Sequence, residues 1–328
     1  MMQEFITNFP KQLSEALDIA EKSQFSLNKF KIQNVIITGM GGSGIGGTFA
    51  QEYASEYSPL PIIVNKSYHL PKFVNKHSLI IASSYSGNTE ETLSCVEDAL
   101  KSEAKIVAIT SGGKLDQLCR EKQLPVVNIP KGYPPRTCLG YSFVQVLNIL
   151  SYFNLVPTNW IKDIENAIQL LNNYQNDIRD QAKLIAQQIF QTFPIIYSLQ
   201  SEALAIRLRQ QLNENSKILC SHHIIPEMNH NELVGWRKLT AKHSVISILT
   251  NFDLEQNKKR YIFCKSIFEK YNVPVIELNA KGNSLLEQWL YIVHLSDWIS
   301  YELAVLNEVD AVEVKVIDAL KNVLSKNL

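Results

Sequence analysis

The sequence predicts an α/β protein made of two doubly wound parallel-sheet domains, each an αβα sandwich. Short apolar runs alternate with helical stretches through residues 34–129, and a looser copy of that order returns after residue 193. Turn residues gather directly behind several of the runs. Strand–helix alternation implies a parallel sheet covered on both faces. In such sheets ligands bind beyond the carboxyl ends of the strands.

The chain opens on an amphipathic helical stretch of mixed charge, MMQEFITNFPKQLSEALDIAEK, without the core of a signal peptide. Strands are expected near 34–38, 61–64, 79–83, 105–110 and 125–129, with helices between them. A mostly helical passage spans 141–193, interrupted near Pro157. The plan then recurs with a first strand at 193–197. The run His243–Leu249 parallels His77–Ala82, and Val273–Leu278 parallels the strand at 105–110. A boundary near residue 153 gives an amino-terminal domain, 1–152, with the phosphate-binding loops. The carboxyl-terminal domain, 153–328, lacks the glycine cluster and hydroxyl-rich loop, so it is expected to have lost its own phosphate site.

Composition bounds the class. Apolar residues make up 45% and charged residues 20%, as in a globular protein, and 32 Lys plus Arg balance 32 Asp plus Glu. No overall field recruits nucleic acid or an acidic membrane, and no apolar run reaches the ~20 residues that span a bilayer. Five dispersed cysteines without CxxC spacing read as reduced thiols of a cytoplasmic protein.

Six of the 13 glycines lie in nine residues, Gly39–Gly47, directly after the strand Asn34–Thr38. A strand, a glycine turn and a helix beginning at Thr48 make a ready anion site, because backbone N–H groups and the helix dipole converge on one spot. Gly39-x-Gly41-x-x-Gly44 also matches the dinucleotide fingerprint. That reading needs an acid after the second strand, where Asn65-Lys66-Ser67 stands instead. A P-loop is excluded, since no Lys-Ser or Lys-Thr follows the glycines. A tight turn that only packs helix on strand stays open as an alternative.

A second loop, Ser83–Thr92, follows the next strand and sets three hydroxyls, Ser84, Ser86 and Thr89, beside Gly87. One Ser or Thr suffices for a helix N-cap. Three hydroxyls flanking a glycine point to a cradle for a phosphate monoester, each hydrogen bond to a charged oxygen contributing roughly 1.5–3 kcal/mol. The candidate phosphate ligands are Gly41, Gly42, Ser43, Ser84, Ser86 and Thr89.

Two polar clusters occupy the second half: Gln210–Lys217, closing a helix from about Ser201, and Pro226–Glu232. Taken alone, the first reads as a solvated helix end and the second as a polar loop with a buried, satisfied histidine. His222, His223, Glu227 and His230 contain enough nitrogen and oxygen ligands for zinc, but they stand in an apparent loop interrupted by Pro226, so no metal is expected.

The loop Ser84-Tyr85-Ser86-Gly87-Asn88-Thr89-Glu90-Glu91-Thr92, with the upstream Gly-Ser-Gly turn, resembles the sugar isomerase (SIS) domain. Four further segments resemble the bifunctional phosphoglucose/phosphomannose isomerase family in its order. They are Tyr133-Pro134-Pro135-Arg136, Asn213-Glu214-Asn215-Ser216-Lys217, Pro226-Glu227-Met228-Asn229-His230-Asn231-Glu232 and Ile317-Asp318-Ala319-Leu320-Lys321. The resemblance implies two SIS-type domains and aldose–ketose isomerisation of hexose 6-phosphates without a cofactor. It makes Glu214 the base, His230 and Lys321 the ring-opening groups, and Arg136 the cation for enediolate charge. It further implies a homodimer in which His230 crosses to the partner subunit. The family's threonine before the carboxyl-terminal lysine has no counterpart in 310–316, where no Thr or Ser occurs. Glucose 6-phosphate is therefore expected ahead of mannose 6-phosphate. The other reading is a non-catalytic phosphosugar sensor, although no basic helix-turn-helix module accompanies the domain.

Overall fold

The computed structural model describes residues 1–25 and 31–324. They divide into two compact units, one within residues 8–172 and the other made of residues 1–7 with those from 173 onward. The expected boundary at 152/153 falls at the end of one helix of the first unit, and a further helix follows it there. Helix α1 (Met2–Thr7) belongs to the second unit.

The first unit runs α2 (Phe9–Lys22), β1 (Asn34–Thr38), α3 (Gly41–Ser55), β2 (Ile62–Asn65), β3 (Ser78–Ser84), α4 (Glu90–Lys101), β4 (Lys105–Thr110), α5 (Gly113–Glu121), β5 (Val126–Asn128), α6 (Leu139–Tyr152) and α7 (Trp160–Asn173). Its five strands are all parallel, in the order β2-β1-β3-β4-β5. Every residue of β1 and β3 is buried, which explains their unbroken Val, Ile, Leu and Ala runs: a central parallel strand is covered on both faces. Order reverses between β1 and β3, so the crevice beyond their carboxyl ends is the ligand position of such a sheet.

Helix α3 corrects the sequence reading. It begins at Gly41, not Thr48, and five of the six clustered glycines lie inside it. Glycine costs a helix interior about 1 kcal/mol relative to alanine. Packing explains the cost here. A Cβ at Gly42 would lie 2.4 Å from the Pro135 carbonyl oxygen, one at Gly46 2.5 Å from the Ser142 hydroxyl on α6, and one at Gly47 2.7 Å from Ile37 on β1. The reading as packing glycines thus holds for these positions, while the helix start retains its place at the strand end.

The second unit contains α8 (Gln175–Ile189), β6 (Phe193–Ser198), α9 (Glu202–Glu214), β7 (Ser221–Ile224), β8 (His243–Leu249), α10 (Glu255–Lys270), β9 (Val275–Asn279), α11 (Leu285–Leu306) and α12 (Lys315–Leu324). Its parallel strands run β7-β6-β8-β9. This is the order of the first sheet without its last strand, so β6, β8 and β9 correspond to β1, β3 and β4, as the internal likeness predicts. His222 and His223 lie on strand β7, not in the loop that the sequence suggests. Helix α11 is buried over most of its circumference and packs on α1, α8 and α9. A buried ion pair joins it to α9: Arg207 Nη2 donates to Asp297 Oδ2 at 2.8 Å and Oδ1 at 2.9 Å, Arg207 Nε donates to Oδ1 at 3.1 Å, and Gln211 Nε2 adds a further bond at 2.7 Å.

At the strand ends of this second sheet the chain satisfies its own donors. The Thr250 N–H bonds Asp253 Oδ2, the Asn251 N–H bonds Gln288 Oε1, and the Leu254 N–H bonds Gln200 Oε1. Among the described residues no helix is long and apolar enough to cross a membrane.

Candidate active site

Two helices in the first unit start at the carboxyl ends of the neighbouring strands β1 and β3. Neither has a side-chain cap: Met40 precedes α3 and Thr89 precedes α4, both in extended conformation. Gly41 and Gly42 form the first turn of α3, where a helix supplies no backbone acceptor for its N–H groups. Thr89 holds the N-cap position, but its hydroxyl meets Ser84 Oγ at 2.9 Å. The side-chain cap bond is not made.

The two loops are tied together. Ser43 Oγ accepts from the Tyr85 N–H at 3.1 Å, and a Cβ at Gly39 would lie 2.7 Å from the Ser83 carbonyl oxygen. Gly87 has φ +68°, and a Cβ there would lie 1.7 Å from the Gly112 carbonyl oxygen; no other residue fits. Ser86 is exposed beside it and accepts from the Asn88 N–H at 3.2 Å.

Arg136 belongs to the same cluster. It sits on a 3-10 turn, Pro135–Thr137, and is only 4% exposed. Gly42 lets that turn approach: the Arg136 nitrogen is 3.2 Å from the Gly42 Cβ position. Tyr85 steadies the lead-in, its hydroxyl accepting from the Tyr133 N–H at 3.0 Å. Burial pushes the Tyr85 hydroxyl well above its ordinary pKa, so it stays neutral. The structure therefore brings Gly41, Gly42, Ser43, Ser84, Ser86, Thr89 and Arg136 into one strand-end crevice.

Two cations there were passed over in the sequence. Lys66, after β2, has its Cε 3.7 Å from the Gly44 Cβ position, and the Lys131 Nζ is 2.9 Å from that of Gly112. Lys66 stands where a dinucleotide site needs an acid, and a lysine at a strand end beside the crevice is itself a signal for an anionic ligand.

In the second unit Glu214 is the last residue of α9 and is half-buried. The run behind it is no solvated helix end. Asn215 and Ser216 are fully buried. Asn215 Nδ2 donates to Ser300 Oγ at 2.9 Å, Ser216 Oγ to the Ser300 carbonyl at 2.6 Å, and Asn307 Nδ2 to the Ser216 carbonyl at 2.9 Å. Helix α11 thus fixes the turn that presents the carboxylate.

His230 ends a 3-10 turn, Glu227–His230, and is exposed, against the reading of a buried, satisfied histidine. Glu227 accepts from Asn231 Nδ2 at 3.2 Å. Glu232 is held by Tyr197, whose hydroxyl donates at 2.5 Å, and lies 3.1 Å from His223 Nδ1. Among the described residues no three His, Cys, Asp or Glu side chains gather as a metal site requires. Lys321 lies on α12, exposed, with Asp318 at 3.4 Å.

Residues 178–324 match the family described as the bacterial phospho-glucose isomerase C-terminal SIS domain. A bifunctional phosphoglucose/phosphomannose isomerase of Caldicellulosiruptor bescii is 35% identical, covering 99% of both chains. One of Aquifex aeolicus is 38% identical over 90% of this chain and 91% of its own. Among solved structures, the C-terminal domain of glucosamine-fructose-6-phosphate aminotransferase from Francisella tularensis superposes with a TM-score of 0.73 at 18% identity, covering 94% of this chain and 97% of that one; at that identity it shows the SIS-type fold alone. By near full-length similarity at this level, the chain belongs to the bifunctional phosphoglucose/phosphomannose isomerase family.

Proposed function

We propose that this protein interconverts glucose 6-phosphate and fructose 6-phosphate, and turns over mannose 6-phosphate more slowly, without a metal or other cofactor. The observation that carries the reading is the Ser84–Thr89 hydroxyl pair between two uncapped helix starts. Its weight comes from the chain's family.

Ser43, Ser84, Ser86, Thr89 and the N–H groups of Gly41 and Gly42 hold the phosphate ester. His230 and Lys321 exchange protons at the ring oxygen and anomeric hydroxyl to open the sugar. Glu214 removes the C2 proton of the aldose, giving an enediol(ate), and returns it to C1 to yield the ketose. Arg136 offsets the enediolate charge. Glucose and mannose 6-phosphates differ only at C2, so one enediol serves both. The family supports both reactions; the absence of a hydroxyl side chain in 310–316 supports the preference for glucose. His230, exposed on its own subunit, acts across a homodimer interface in this reading.

A coupled assay with both hexose 6-phosphates, before and after exhaustive chelation, tests it. The expected result is undiminished turnover, faster with glucose 6-phosphate. No turnover of either sugar contradicts the reading, and loss on chelation contradicts the metal-free mechanism.

A further inference from the structure

Lys217 is a lysine in a conformation that favours glycine. It follows the end of α9 with φ +59°, at the place where helices commonly end on a left-handed glycine. A side chain there is strained, and an observed strain of this kind invites a search for what the side chain does.

It folds back across the helix end. Its Nζ donates to the Glu214 carbonyl at 2.6 Å and to the Glu313 carbonyl at 2.6 Å. The first bond satisfies a terminal helix carbonyl and places positive charge at the negative end of the α9 dipole. The second reaches 96 residues along the chain.

What the second bond holds is the carboxyl-terminal segment. Among the described residues Ala311 is the last buried one, and α12, which begins at Lys315, has no buried side chain at all. Packing therefore contributes little to fixing α12. The α9 turn, by contrast, is anchored independently through Asn215, Ser216 and α11. Loss of the ammonium would leave that turn in place and release the segment that follows Ala311.

We propose that Lys217 is a positioning residue: its ammonium ties α12, and with it Lys321, to the helix end that presents Glu214. The proposal rests on the isomerase reading for its catalytic consequence, but not for the tether itself.

Lys217→Gly separates the two roles the position could have, because glycine adopts positive φ without strain yet carries no ammonium. Melting at or above the wild-type temperature is expected, together with a kcat lowered about tenfold or more and a KM within about twofold. Amide hydrogen exchange through 313–324 should accelerate. Lys217→Arg should recover most of the rate. Wild-type kcat in Lys217→Gly, or wild-type exchange in 313–324, overturns the proposal. If the wild-type protein isomerises no hexose phosphate, the function fails, and the exchange measurement alone still decides the tether.

Discussion

Thr89 occupies a helix N-cap and leaves the cap unmade, its hydroxyl turned instead to Ser84 at 2.9 Å. Local hydrogen bonding normally wins at such a position; here the Ser84 hydroxyl takes its place. Gly87 makes this possible by passing under the Gly112 carbonyl. Gly87→Ala should displace the loop, cost on the order of 2 kcal/mol in stability, and raise KM for a hexose phosphate well before kcat changes; urea unfolding and steady-state kinetics report the two effects. A second residue contributes to acid stability. His294 is wholly buried in α11, accepts from Trp298 Nε1 at 3.3 Å, and is pushed down to about 3 by burial. Its folded pKa lies below the unfolded value of about 6.5, so the unfolded chain binds the extra proton. Its contribution is complete above about pH 6.5 and is lost as pH falls toward 3, about 2 kcal/mol by pH 5. His294→Gln should flatten that part of the pH–stability curve, measured by urea midpoints at about pH 5 and pH 7.

Elements show where sequence patterns lose their force. Strands β1 and β3 are legible because central parallel strands are buried at every residue and carry unbroken apolar runs through their middles. Strand β7 is not: it is an edge strand, Ser-His-His-Ile, with all four residues half-buried, so it has neither alternation nor an apolar run. Helix α3 starts seven residues before the reading because glycine has nearly the poorest helix propensity, and the approach of Pro135, Ser142 and Ile37 lies outside any local window. The run Asn213–Lys217 reads as an anonymous polar tail because its partners, Ser300, Asn307 and Glu313, stand 84 to 96 residues away. The Ser84–Thr89 hydroxyl contact, by comparison, spans five residues and lies within a local window. Gly42→Ala tests the packing account of α3. Alanine gains about 1 kcal/mol of helix propensity, but its Cβ meets the Pro135 carbonyl. Net destabilisation and a lower kcat, through displacement of Arg136, are expected; a more stable, fully active variant contradicts the account.

The whole chain repeats one topology, β2-β1-β3-β4 in the first sheet and β7-β6-β8-β9 in the second, with different fates at the strand ends. The first keeps uncapped helix starts, spared hydroxyls and nearby Lys66, Lys131 and Arg136. The second fills its own with Asp253, Gln200 and Gln288, and turns its polarity to a carboxylate on α9. In the proposed mechanism ester recognition belongs to one unit and proton transfer to the other. Exchange of deuterium from solvent into C2 of the hexose phosphate, followed by NMR on wild type and Glu214→Gln, addresses it most directly. The wild type should show wash-in and the variant none, despite undiminished binding of the sugar phosphate. Wash-in at the wild-type rate by Glu214→Gln would contradict it.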